Sequence, residues 1–171
     1  MPITNLNHAV LFVRDSERAA AFYTGILGFR RVMEVPNAVF LQAEGSTNDH
    51  DLGLFAVGDG AGPSLAGRQT VGLYHLAWEV DTLDELDRIM GRLVEERALV
   101  GATDHGTTKA VYGRDPDGIE FEVSWLVPAA LIDPAEDRAT MKPLDLAAEK
   151  RRYGATTRGG VGVSFAASAR T

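Results

Sequence analysis

Residues 75–80 read HLAWEV, and residues 8–13 read HAVLFV. Each is a short apolar run that opens on histidine and leads into an amphipathic segment, so the chain starts one pattern twice. The offset is 75 − 8 = 67 residues. That is longer than a solenoid repeat, which points to two fused modules instead of an array.

The elements around each copy agree. In the first, residues 6–13 form a strand and Asp15 caps a helix that runs to Leu27. Ala19, Phe22, Tyr23 and Ile26 share one face of that helix, and Gly28 suits its C-terminus. Three strands follow at residues 29–34, 38–43 and 52–57, separated by Pro36-Asn37 and by the polar loop 44–49. Residues 58–69, GDGAGPSLAGRQ, read as a linker. In the second copy, residues 72–80 form a strand, and Thr82 with Glu85 makes a capping box. Leu83, Leu86, Ile89, Met90 and Leu93 stripe a helix ending near Arg97. Strands at 99–102, 109–112 and 119–125 follow, the last after the turn Asp115-Pro116-Asp117-Gly118.

The fold class is therefore α+β: two tandem βαβββ modules forming a cupped, open β-barrel with helices outside. One domain covers residues 1–127, with modules at 3–58 and 71–127. Residues 128–171 form a C-terminal extension, with a short helix over 144–153 and a small, polar, mobile tail from residue 155. Carrying the offset of 67 across pairs Leu54 with Phe121 and Phe55 with Glu122.

Bulk properties narrow the function. At 171 residues, 45% hydrophobic and 24% charged, the chain is a globular domain. It has no cysteine, which excludes disulfides and thiolate metal sites and favours the cytoplasm. No signal peptide or membrane-length apolar run is present. A net charge of −7 argues against nucleic acid as a partner, leaving a small-molecule site as the default.

Residues 118–125, GIEFEVSW, give that site its chemistry. Ile119, Phe121, Val123 and Trp125 alternate with Glu120, Glu122 and Ser124, so the strand has one apolar and one acidic face. An acid facing the inside of a curved sheet needs a counter-charge. A strand histidine alone is more often a hydrogen-bonded side chain than a ligand. His8 and His75 differ in occupying equivalent places in a repeat. With one strand carboxylate they make two imidazoles and one oxygen, a set that caps one side of a metal and leaves three positions open. The residue pattern leaves both Glu120 and Glu122 open as the acid.

The stretches LNHAVLFVRDSERAAAFYTGILGFR, YHLAWEVDTLDELD and DHGTTKAVYGRDPDGIEFEV resemble the vicinal oxygen chelate superfamily, the glyoxalase, bleomycin-resistance and dioxygenase group, over residues 3–125. The resemblance implies a metal held by His8, His75 and Glu122, because the family's glutamate follows DPDG by four residues. It implies Fe(II) as the cofactor, with Mn(II) or another divalent ion as the alternative. The pattern is nearest the catechol 2,3-dioxygenase-like branch, where Tyr112, His105 and His50 would match active-site residues. Alternation back from Phe55 puts Gly53 and Asp51 on the metal-facing side and His50 on the other, unless His50 precedes the strand.

Other branches fit less well. Glyoxalase I and methylmalonyl-CoA epimerase take a fourth ligand from the last strand of the first half, where the offset places Phe55. Bleomycin binders usually lack the metal ligands. Fosfomycin-resistance proteins need a cationic pocket, and residues 123–128 contain no Arg or Lys. The implied activity is extradiol cleavage of a catechol-like vicinal diol by dioxygen. The alternatives are a lyase, isomerase or thiol transferase of the same fold, or a small-molecule binding protein. Val10, Phe12, Phe55 and Ala77 would line the pocket for a small aromatic substrate. Such folds often pair as homodimers.

Overall fold

The structure is a computed structural model that describes residues 2–3, 5–66, 69–133 and 140–160. Its contacts divide the chain into two units. The first comprises Met1–Leu65 with Asp115–Ile119, and the second Ala66–Arg114 with Glu120–Thr171.

The first unit runs β1 (Ala9–Val13), α1 (Ser16–Leu27), β2 (Arg30–Val35), β3 (Ala38–Gln42) and β4 (Leu52–Ala56). The sheet order is β1-β4-β3-β2, with β1 parallel to β4 and the other pairs antiparallel. Asp15 caps α1 by accepting from the Glu17 and Arg18 amides at 2.8 and 3.0 Å. Gly28 ends it at φ 73°, a conformation that favours glycine. Ala19, Ala20, Tyr23 and Ile26 bury α1 against the sheet face that carries Val39 and Leu41 of β3 and Leu52 and Leu54 of β4. Val10 and Phe12 point the other way and are exposed. That parity leaves one sheet face open, and the site residues lie there.

The turn before the last strand of the second module belongs to the first unit. Asp115 closes it by accepting from the Asp117 and Ile119 amides, both at 2.9 Å. Asp117 accepts from Arg14 Nη1 at 2.8 Å and Arg18 Nη2 at 2.9 Å. Tyr23 donates its hydroxyl to Asp115 at 3.3 Å. Burial, followed by the Asp115 charge, holds the Tyr23 pKa well above the ordinary tyrosine range. A pKa raised on folding gives stability that is complete below the unfolded value and lost as pH rises through the folded one. Wild type should therefore lose stability relative to Tyr23→Phe from about pH 10 upward, as read by urea midpoints at pH values on either side. A gap that does not change with pH would contradict this.

The second unit repeats the order: β5 (Leu76–Glu79), α2 (Leu83–Glu95), β6 (Leu99–Asp104), β7 (Thr108–Arg114) and β8 (Glu120–Leu126). It then adds β9 (Lys142–Pro143) and α3 (Leu146–Tyr153). The sheet order is β5-β8-β7-β6-β9, with β5 parallel to β8. Thr82 caps α2 through the Glu85 amide at 3.3 Å. Leu83, Leu86, Ile89 and Leu93 are buried, and α2 packs on the sheet face that carries Val111, Phe121, Val123 and Trp125. The expected α+β class, with one βαβββ module repeated, is what the structure shows.

Gly113 is required by this packing. A Cβ there would lie 2.6 Å from Phe121 Cζ and 3.0 Å from Leu93 Cδ2. Gly113→Ala should cost about 1–3 kcal/mol by overpacking, measured as a lower urea midpoint. An unchanged midpoint would show that the core gives way freely.

Two strand starts differ from expectation by three residues or more. Strands read from residues 6 and 72 begin at Ala9 and Leu76. Pairing starts at Ala9↔Leu52 and Leu76↔Phe121, so the first strands run only as far as their partners reach. His8 and His75 each stand one residue ahead of a strand, not within it. They remain equivalent to each other.

The C-terminal segment is bound to the second unit. β9 pairs with β6, and Lys150 of α3 bridges Asp84 and Asp87 of α2 at 2.8 and 2.5 Å. Residues 155–160, read from sequence as the start of a tail, are hydrogen-bonded: Gly159 donates to the Asp81 carbonyl at 2.8 Å, and Trp125 Nε1 to that of Thr157 at 3.2 Å. The rest of the expected tail, 161–171, lies outside the described residues. No helix among the described residues is long and apolar enough to cross a membrane.

Candidate metal and substrate site

The second unit brings five of the expected residues together. Ala77 pairs with Glu122 across the parallel strands, and Tyr112 pairs with Glu122 across the antiparallel ones. All three side chains therefore leave the sheet on the face opposite α2. His75 Nε2 stands 3.2 Å from Glu122 Oε2, both side chains being mostly buried. His75 Nδ1 is buried and makes no hydrogen bond, so the polar contact of the ring lies at its Nε2 end. Tyr112 lies beside His75, ring centroids 5.8 Å apart. Burial, then the charge of Glu122 and a hydrogen bond to it, push the Tyr112 pKa up to about 12. His105 Nε2 stands 2.9 Å from the Tyr112 hydroxyl.

The two strand acids have separate partners. Glu120 accepts from Arg114 Nη2 at 3.1 Å, whereas Glu122 faces His75. A surface Arg–carboxylate pair satisfies Glu120, which leaves Glu122 as the acid beside an imidazole.

In the first unit, the His8 and His50 ring centroids are 4.5 Å apart. Phe40 meets His50 edge-on at 5.2 Å and Phe55 at 5.6 Å. Asn7 Oδ1 accepts from His8 Nδ1 at 2.7 Å, which leaves the Nε2 lone pair of His8 free for a ligand bond. Alternation does not govern residues 50 and 51, because β4 begins at Leu52. His50 turns toward His8. Asp51 is buried and spent on the 43–51 loop, accepting from the Ala43 amide, Ser46 Oγ and Asn48 Nδ2 at 2.7–2.8 Å. Asp51 is therefore not on the open face, contrary to the alternation reading.

The strand registers also correct the repeat alignment. Val10 pairs with Gly53, and Ala77 pairs with Glu122. The counterpart of Glu122 is Gly53, not Phe55, and the offset there is 122 − 53 = 69. The slip is a net of unequal stretches: the offset grows to 112 − 40 = 72 at Phe40 and Tyr112, and the longer first-module connection, residues 43–51 against 115–119, brings it back to 69. Gly53 offers no donor, so the first module still supplies no carboxylate at that place. A Cβ on it would touch Phe55, Phe40 and Val10 at 3.3–3.5 Å, so these three side chains close over the glycine. By the same register Phe40, the partner of Gly53, corresponds to Tyr112, the partner of Glu122.

Phe40 was missed in sequence, as was Tyr74, whose ring centroid lies 4.5 Å from that of His75. A signal for Phe40 existed. The run AVFL is apolar at both parities, so an aromatic ring falls on the face opposite Val39 and Leu41.

Whether the donors suit a divalent ion can be judged locally. Two cis ligands with bonds of about 2.1 Å to one metal stand about 3.0 Å apart, close to the His75–Glu122 spacing of 3.2 Å. Imidazole and carboxylate are suitable donors for Fe, Mn or Zn. The pair fits. Among the described residues, no group of three or more His, Cys, Asp or Glu side chains is gathered tightly enough to hold an ion.

Comparison with known proteins identifies the family. Residues 5–123 match the profile of the Glyoxalase/Bleomycin resistance protein/Dioxygenase superfamily. The chain is 30% identical over 120 residues to catechol-2,3-dioxygenase of Bacillus subtilis (strain 168), covering 70% of this chain and 41% of that enzyme. It thus spans about two fifths of that relative's length. It is 26% identical over 125 residues to the metallothiol transferase FosB of Lysinibacillus sphaericus (strain C3-41), covering 71% and 82%. A glyoxalase/dioxygenase crystal structure from Nostoc punctiforme aligns with a TM-score of 0.58 at 25% identity, over 70% of this chain and 89% of that one.

Proposed function

Because the chain belongs to the glyoxalase/bleomycin resistance protein/dioxygenase superfamily, we propose that it is a metal-dependent extradiol dioxygenase acting on a catechol-like aromatic diol. The observation that carries the reading is the set His75, Glu122, Tyr112 and His105, in which an imidazole–carboxylate pair adjoins a tyrosine backed by a histidine. Similarity to a catechol dioxygenase supports it.

In this proposal His75 and Glu122 would hold the ion, with His8 as the expected third ligand. A divalent ion bound there, Fe(II) or alternatively Mn(II), supplies Lewis acidity toward a phenol and a position for dioxygen. Tyr112 stays protonated at neutral pH and orients a diol oxygen by hydrogen bonding. His105, behind the Tyr112 hydroxyl, takes up a substrate proton and returns one. His50 is the second proton-handling residue, on the first-module side. Val10, Phe12, Phe55 and Ala77 are the expected lining for the aromatic ring, and Phe40 adds a ring beside Phe55.

The test is protein purified without oxygen, loaded with Fe(II) or Mn(II), and given catechols and dioxygen. A yellow ring-fission product is expected. A second reading, metal-dependent thiol transfer, is favoured by length, since this chain spans 82% of the thiol transferase. Formation of a thiol adduct from an epoxide, with no ring fission, would favour it instead.

A further inference from the structure

The residues matched by the family end at 123, and the C-terminal segment lies beyond them. Among the described residues, that segment reaches the site through the Thr140 carbonyl. The Thr140 carbonyl stands 3.2 Å from His105 Nδ1, while His105 Nε2 stands 2.9 Å from the Tyr112 hydroxyl. Both contacts, like the residues that make them, lie within the second unit.

A carbonyl oxygen has lone pairs and no hydrogen, so it can only accept. The contact at Nδ1 therefore requires the proton of a neutral imidazole to sit on Nδ1. Nε2 is then left with its lone pair, directed at Tyr112. The tyrosine hydroxyl has one hydrogen and two acceptors in reach, Glu122 and Nε2. With Nδ1–H held by Thr140 the hydrogen goes to Nε2, which leaves Glu122 to a metal ion and the tyrosine oxygen lone pairs to a hydroxyl on a substrate.

We propose that the C-terminal segment is a positioning part of the site: the Thr140 carbonyl selects the Nδ1–H tautomer of His105 and so makes Nε2 the acceptor behind Tyr112. The opposite tautomer would aim a hydrogen from Nε2 at the tyrosine oxygen and occupy the lone pair that a substrate proton needs. In the selected tautomer, a proton leaving a diol hydroxyl bonds to the tyrosine oxygen as the tyrosine's own hydrogen passes to His105 Nε2. The imidazolium so formed keeps its Nδ1–H donated to Thr140. One O–H bond breaks on the substrate, one O–H bond is exchanged on Tyr112, and one N–H bond forms on His105.

The carbonyl is held in place from both sides. Lys142 and Pro143 pair with Asp104 and Thr103 on β6, the strand that leads into His105. Lys109, fully buried, binds Asp104 Oδ1 at 2.6 Å and Glu149 Oε2 of α3 at 3.0 Å. The strand end that carries His105 and the helix that follows Thr140 thus share one buried ammonium.

The catalytic part of this inference rests on the dioxygenase reading, but the tautomer does not. The experiment is nitrogen-15 NMR of the histidine side chains in the full-length protein at neutral pH, with His105 assigned by its loss in His105→Gln. The expected result is protonated Nδ1 and unprotonated Nε2, unchanged in Tyr112→Phe, since the carbonyl sets it. An Nε2–H tautomer in wild type, or a switch to it in Tyr112→Phe, would overturn the proposal. A backbone ester between residues 140 and 141 weakens the same acceptor without changing a side chain. It should let the Nε2–H form grow and lower kcat roughly 10-fold with KM within about twofold. An unchanged tautomer ratio in the ester would also overturn it. If wild type cleaves no catechol, the functional reading fails while the NMR result still decides the tautomer.

Discussion

Exchanging Glu122 for glutamine, or His75 for alanine, should lower divalent-metal retention by at least roughly 100-fold and remove turnover with it. Each change deletes one donor from a pair already set at 3.2 Å. Losing a direct ligand should cost no less than losing the residue behind one. Glu122→Gln keeps the shape and the strand pairing with Ala77 and Tyr112. It removes only the charge, so a folding defect is not expected. Glu120→Gln is the matched control. Its parent sits on the same strand face, yet is paired with Arg114. It should retain metal as wild type does. His8→Ala should behave like His75→Ala if His8 is the third ligand. Metal analysis after desalting, alongside circular dichroism, reads all four variants. Equal loss in Glu120→Gln and Glu122→Gln would mean that general surface charge, not a site, retains the ion.

Lys109→Ala should destabilise the protein by about 3–5 kcal/mol, the usual result of removing one partner from a buried ionic group. The Lys109 side chain is 0% exposed and sits between Asp104 and Glu149. Burial alone would lower its pKa. Hydrogen bonds to the two carboxylates prevail and hold it above the ordinary lysine value. A pKa raised on folding gives stability that is complete below the unfolded value, so the whole contribution is present at neutral pH. Urea titration at pH 7 measures the loss. Asp104→Asn with Glu149→Gln in the Lys109→Ala background should recover part of it, because the stranded carboxylates are then neutral. No recovery would assign the loss to packing of the lysine stem.

The double module was legible because hydrophobic period and caps are local. Asp15, Gly28 and Thr82 announce their helices within a turn, and the structure uses each as expected. What depends on pairing between distant strands was less legible. A constant offset assigned Phe55 to the place that Gly53 holds, since connection length is not encoded in strand periodicity. The choice between Glu120 and Glu122 needed a family motif, because both share one parity. The structure separates them by their cross-strand partners, Arg114 and Tyr112. His50 and Asp51 lie just ahead of a strand, where alternation has no force. The Thr140 contact had no sequence signal at all. It joins residues 35 apart through a backbone carbonyl, which carries no side-chain identity.

The most direct measurement of the central claim is turnover of a catechol by the Fe(II)-loaded protein under isotopically heavy dioxygen, with mass analysis of the product. One dioxygen should be consumed per diol, with both heavy atoms found in a ring opened beside the two hydroxyls. Conversion of a substrate with no heavy oxygen incorporated, or an intact ring under saturating metal, would contradict it.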